Sequence, residues 1–134
     1  MSAIDYLLSI NTQVIKLGLE RTFSLNHVCG QPDNDLSIVQ VAGTNGKGSV
    51  CAIISKILQN ANYKVGLYTS PHLLKLNERI RINGKSISNH DIDLFVKLYK
   101  KNIESIQSSF FETMTILALW YFNKKEVDFA IMET

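Results

Sequence analysis

Cysteine is scarce in this 134-residue chain: Cys29 and Cys51 are too few for a disulfide scaffold and show no close spacing of a zinc site. Two reduced thiols in a cytoplasmic protein are the simplest reading. Charge of one sign is lacking too. The 14 Lys and Arg against 12 Asp and Glu leave a net +2, and the basic residues are scattered. Without an electrostatic stripe, nucleic acid is not expected as a partner. The longest apolar run, Ile116 to Phe122, is far too short to cross a bilayer, and no basic segment precedes an apolar one at the start. Neither membrane association nor a targeting segment is expected. His27, His72 and His90 are too dispersed for a metal cluster, so each reads as a surface or locally bonded histidine. What is present is a globular balance, 46% hydrophobic and 19% charged, enough for the core of one ordinary domain.

Apolar spacing predicts a helix from Ile4 to Leu17, stopped by Gly18, and then an irregular stretch from Leu19 to Asp35 punctuated by Gly30 and Pro32. Ser37 to Ala42 is short, β-branched and followed by glycine, which predicts a buried strand. From Ser49 to Asn62 the residues Val50, Ile53, Ile54, Ile57 and Leu58 fall on one helical face. A second strand is predicted at Lys64 to Thr69, and a small hairpin with an Asn-Gly turn at Ile80 to Lys85. Two helices follow, one opening at a Ser88 or Asn89 cap and one, Phe110 to Asn123, apolar nearly all round and hence buried. Val127 to Met132 supplies a last strand. Strands alternating with helices predict an α/β fold, a parallel sheet with helices on both faces.

In such sheets ligands gather at the carboxyl ends of the strands, where three features sit. Gly43-Thr44-Asn45-Gly46-Lys47-Gly48-Ser49 leaves a strand and opens a helix, so its backbone N–H groups converge and the helix dipole adds positive potential. That is a cradle for the phosphates of a nucleotide, with ATP the expected one. Lys47 reaches toward the β and γ phosphates and Ser49 offers a hydroxyl near a metal. The standard pattern G-x-x-x-x-G-K-[ST] is not fully met, since Val41 stands at its first glycine and Gly48 at its Ser/Thr. Ser70, beside Pro71, is either a turn initiator or a magnesium ligand. Glu133 ends the last apolar strand, where nucleotide folds place a metal-coordinating acid; the alternative is a solvated residue. Glu78, Arg79 and Arg81 read equally as an anion site or as surface ion pairs. Phe110, Phe111 and Glu112 open the apolar helix, with core packing the default and stacking on a flat heterocycle the alternative.

Taken in order, the 43–49 loop, Tyr68-Thr69-Ser70-Pro71-His72-Leu73, Asn77-Glu78-Arg79-Ile80, Phe110-Phe111-Glu112 and Val127 to Glu133 resemble the N-terminal part of the folylpolyglutamate synthase/dihydrofolate synthase family of the Mur ligase superfamily. The upstream Leu17-Gly18-Leu19-Glu20-Arg21 fits the same resemblance, which covers essentially the whole chain.

The resemblance implies an incomplete, P-loop NTPase-like N-terminal ATPase domain spanning 1–134 of a cytoplasmic, usually monomeric amide ligase. Its cofactors would be ATP and Mg2+, and its substrates folate or dihydropteroate and L-glutamate. ATP would phosphorylate the pterin-linked carboxylate, and the amine of glutamate would attack the acyl phosphate. Lys47 would steady the γ-phosphate, and Ser70 and Glu133 match metal ligands. Ser109 and Phe111 match a substrate-loop Thr-x-Phe-Glu segment, with Ser109 in place of the Thr, and Arg79 would help hold substrate. Family members continue past Glu133 into a Gly-rich stretch, a metal-binding histidine, a carboxylated lysine and a glutamate-ligase domain, and Thr134 stands where Val is usual. A polypeptide ending here is expected to show no ligase turnover and to fold marginally, with a sheet edge exposed. The competing readings are an inactive nucleotide-binding remnant and a cell-wall Mur-type ligase, and the Thr-Ser-Pro-His and Asn-Glu-Arg-Ile segments favour the folate branch.

Overall fold

A computed structural model describes residues 1–10 and 18–134, which divide into two compact units. One unit comprises 1–34 and 88–121, the other 35–87 and 122–134. The second carries the five strands found among the described residues.

Its sheet has the order β1-β5-β2-β3-β4. Strands β1 (Ile38–Val41), β5 (Phe129–Glu133) and β2 (Val65–Tyr68) run parallel, Ile38 opposite Ala130 and Val65 opposite Phe129. The hairpin β3 (Ile80–Ile82) and β4 (Lys85–Ser86) is added antiparallel on β2, so the sheet is mixed beyond its three parallel strands. Asn83 (φ +47) and Gly84 (φ +83) make the expected turn, because both positions of a tight hairpin of this kind need positive φ.

Helix α3 (Lys47–Asn60) lies on one face, where Cys51, Val65 and Ile131 are fully buried and Val39, Val41, Ile54, Leu58 and Leu67 pack around them. Side chains alternate along a strand, so Gly66 faces the other side, where it meets Phe122 near the end of α5 (Phe110–Lys124). Helical side chains thus meet the sheet on both faces, those of α3 on one and Phe122 on the other.

Two details of this unit depart from the sequence reading. The first strand was expected to be buried, but β1 is half-exposed with Ile38 42% accessible, because among the described residues it pairs on one side only. The apolar face expected of α3 is split: Ile54 and Leu58 turn to the sheet while Val50, Ile53 and Ile57 remain exposed. Five apolar residues over two turns span a wider arc than one sheet contact covers.

The first unit is helical. Helix α1 (Ala3–Ser9) is capped by Ser2, whose Oγ accepts from the Asp5 N–H at 3.0 Å, and it ends where Ile10 turns extended. The remainder of the helix predicted there, including Val14 and Ile15, lies outside the described residues. Helix α2 (Glu20–Val28) occupies much of the stretch expected to be irregular, and a 3-10 turn follows at Pro32–Asp35. Only Leu25 of α2 is buried while Phe23 is exposed, so no apolar stripe announces the helix in the sequence. Ser88 caps α4 (Asn89–Ile106), its Oγ accepting from the Asp91 N–H at 3.1 Å. Phe95, fully buried on α4, packs its ring 5.2 Å from Tyr99 and 5.3 Å from Trp120 of α5. As predicted, α5 is buried over most of its circumference.

Candidate functional site

Residues 42–46 link β1 to α3, and the loop's geometry follows from its glycines. Gly43 (φ +147) and Gly46 (φ +78) hold conformations that a side chain disfavours. Gly46 is the left-handed N-cap of α3, with no capping side chain and no acid in the first turn. The first-turn N–H groups, which no helical carbonyl can satisfy, therefore face the loop together with the positive end of the helix dipole. Lys47, Gly48 and Ser49 form that first turn.

Glu133 comes to the same place by sheet register. It ends β5 directly opposite Val41, the last residue before the loop, and is only 7% exposed. A methyl group on Gly48 would touch Glu133 Oε2 at 3.8 Å, so the carboxylate lies against the first turn of α3. The Lys47 ammonium donates to the Thr134 carbonyl at 2.7 Å, and Thr134 N–H donates to Val41 O at 3.0 Å. Loop, lysine and carboxylate are thus gathered at the carboxyl ends of β1 and β5. Burial raises the Cys51 thiol, Glu133 adds to that and Lys47 opposes it, a local sign of the two charges beside it.

Strand β2 ends one residue short of β5, Tyr68 opposite Met132, which places Thr69 and Ser70 at the same edge of the sheet. The segment after them is tied back on itself. Thr69 N–H donates to Arg79 O at 3.0 Å, and the buried Arg79 donates through Nε to His72 Nδ1 at 2.8 Å. Glu78 Oε1 accepts from the N–H groups of Leu73 at 2.7 Å and Leu74 at 3.2 Å, and these bonds hold its carboxyl below the usual range. The Asn-Glu-Arg-Ile segment therefore fastens the Thr-Ser-Pro-His segment. His72 is locally bonded, and the Ser70-Pro71 peptide is cis.

Magnesium would need hard oxygen donors, and a buried carboxylate with the hydroxyls of Ser49 and Ser70 on the same sheet edge is a donor set of that kind. Among the described residues no three His, Cys, Asp or Glu side chains cluster as a metal site.

Ser109 and Phe111 belong to the other unit. Ser109 Oγ accepts from Glu112 N–H at 3.1 Å, and Glu112 Oε1 accepts from Ser109 N–H at 2.8 Å, a reciprocal capping box at the start of α5. Arg21 adds Nε and Nη2 bonds to the two Glu112 oxygens at 3.1 and 3.2 Å, and Thr22 Oγ1 approaches Oε2 at 3.4 Å. Burial pushes the Glu112 carboxyl up, but the Ser109 N–H, the Arg21 bonds and the Arg21 charge outweigh it and leave it below the usual range. Between the capping residues, Phe110 is 5% exposed and Phe111 52%. The sequence reading placed Glu112 near a helix start but missed Arg21 as its partner. The Ser-x-x-Glu spacing before an apolar run was the available signal for the box, whereas nothing local could reveal a partner 91 residues away.

A parallel strand that releases a glycine loop into a helix, with a lysine in the first turn and a carboxylate on the neighbouring strand end, is an arrangement that suits an anionic group at the carboxyl end of an α/β sheet. No protein-family model matches the chain. It is 41% identical over 127 residues to the dihydrofolate synthase/folylpolyglutamate synthase of Bacillus subtilis (strain 168), covering 90% of this chain and 30% of that protein. The folylpolyglutamate synthetase structure from Lactobacillus casei superposes with a TM-score of 0.89 at 33% identity, over 98% of this chain and 35% of that one. A folylpolyglutamate synthase complex with AMPPCP and folate gives 0.88 at 32% identity, over 99% of this chain and 35% of that one. These relatives and structural neighbours are folylpolyglutamate and dihydrofolate synthases, and the chain matches the N-terminal part of them. It spans about a third or less of their length.

Proposed function

We propose that this chain is the nucleotide-binding part of a cytoplasmic ligase that uses ATP to join L-glutamate to folate or dihydropteroate through an acyl phosphate. The observation that carries the reading is the convergence of the glycine loop, Lys47 and Glu133 at one sheet edge. A relative of the same fold binds both AMPPCP and folate, which supports the pairing of substrates.

In this reading the 43–49 loop is a P-loop whose N–H groups bind phosphate oxygens. Lys47 exchanges the Thr134 carbonyl for the γ-phosphate and offsets the charge that shifts toward the bridging oxygen as the phosphoryl group leaves. Glu133 and the hydroxyls of Ser49 and Ser70 would hold magnesium, which would neutralise phosphate oxygens. Arg79 orients His72 and keeps the Ser70 segment against the sheet. Phe111 offers its exposed ring to the pterin, and Ser109 fixes the turn from which that ring projects.

The test is phosphate release by the polypeptide in which this chain occurs. Release from ATP should require both a pterin carboxylate and L-glutamate, and should appear with a glutamylated product. Release that is indifferent to glutamate, or that follows a cell-wall precursor instead, would sink the proposal.

A further inference from the structure

Glu112 does more than an α5 cap requires. The capping box with Ser109 satisfies the helix start with one oxygen and two short bonds, 2.8 and 3.1 Å. Yet the same carboxylate takes both arms of Arg21, at 3.1 and 3.2 Å, and lies 3.4 Å from Thr22 Oγ1. Its side chain is 12% exposed and that of Arg21 21%, so the pair is largely withdrawn from solvent screening. Arg21 and Thr22 stand in the first turn of α2, so the first turns of two helices are locked together through one carboxylate.

Inside the locked turn sit two aromatic residues with opposite fates. Phe110 is buried as an anchor, and Phe111 is held out with half its surface accessible. With the backbone on either side fixed, the Phe111 ring has only its side-chain torsions to lose when a flat molecule covers it. Preorganisation of that kind converts directly into affinity.

The geometry points to Glu112 and Arg21 as positioning residues that hold Phe111 for an aromatic ring of the substrate, a role resting on the folate-ligase reading. Because they act through Phe111, their effect falls on the pterin substrate and not on the nucleotide.

The test titrates the polypeptide in which this chain occurs with folate and, separately, with AMPPCP and magnesium, by calorimetry. Glu112→Gln keeps a side chain able to complete the capping box but weakens the ionic lock, and Arg21→Gln removes the lock and leaves the box intact. Each variant should weaken folate binding about five- to tenfold, with AMPPCP affinity held within about twofold. Phe111→Ala should weaken folate at least as much, and adding Glu112→Gln to it should cost little more, since a positioning residue acts through its target. Arg21→Lys, which keeps the charge, should recover part of the loss. Equal loss of folate and AMPPCP would show a merely structural role and overturn the inference, as would unchanged folate binding in both lock variants. Wild-type protein that binds AMPPCP but not folate would instead overturn the folate-ligase reading itself.

Discussion

Phe122 occupies the space that any side chain on Gly66 would need: a methyl group there would lie 2.6 Å from Cδ1 of the ring, which is itself fully buried. A buried ring at this position has no free end to swing aside, and Gly66 lies on β2, whose neighbours are β5 on one side and β3 on the other. Gly66→Ala should therefore destabilise the chain by about 1–3 kcal/mol, the usual cost of overfilling a core. A denaturant midpoint equal to that of the unmodified chain would refute the close packing.

Lys47 is bonded at an exposed position, so its loss should be felt in binding and hardly in folding. Lys47→Met is expected to lower affinity for AMPPCP with magnesium by roughly ten- to a hundredfold, the size of a lost charge-assisted contact to phosphate. The denaturation midpoint should stay within experimental scatter. Calorimetric titration alongside a urea melt reads both.

Glu133 should couple the nucleotide to the metal. For the unmodified chain, removing magnesium with a chelator is expected to weaken AMPPCP binding by about tenfold, and in Glu133→Gln that difference should shrink to within about twofold. If the variant keeps the full magnesium dependence, the carboxylate is not a ligand.

The legibility of the sequence varied with how local each cause was. The 43–49 loop and the Asn83-Gly84 turn could be read because positive φ at a glycine is decided within a few residues. The Ser88 cap and the buried character of α5 are readable because a capping side chain and a continuous apolar run are likewise local. Helix α2 was not, since its single buried residue leaves no periodic signal and Arg21 finds its carboxylate on another helix. Nor could the sequence show that β1 would be half-exposed, because an apolar β-branched run looks alike at the edge and in the middle of a sheet. In the candidate site, Lys47 and Glu133 were both named from the sequence, but their convergence depends on the pairing of Val41 with Glu133, residues far apart in the chain. His72 reads from the sequence as a surface or locally bonded histidine, and the structure gives it Arg79, a residue that reads as an anion-site or ion-pair group.

The depressed Glu112 carboxyl gives a pH signature. A folded value below the ordinary 4.5 means stability that is fully present above that pH and is lost as pH falls through the folded value. Glu112→Gln should abolish this acid-side loss while costing about 0.5–1 kcal/mol at neutral pH, the range of a partly screened pair. Urea midpoints recorded from pH 6 down to about pH 3 for both proteins would reveal it. Parallel curves would show that another group controls the acid limb.

The pairing of β1 with β5 also has a mechanical meaning. Four residue pairs, Ile38 with Ala130 through Val41 with Glu133, are the footing from which the glycine loop springs. A slip of one residue along that ladder would shift the loop against Glu133 by about 3.3 Å and turn the glutamate to the opposite face of the sheet. The distance between the loop and its carboxylate is thus gauged by backbone hydrogen bonds and not by the two side chains. A substitution in β1 that leaves every loop residue untouched can mistune the site as surely as one within it.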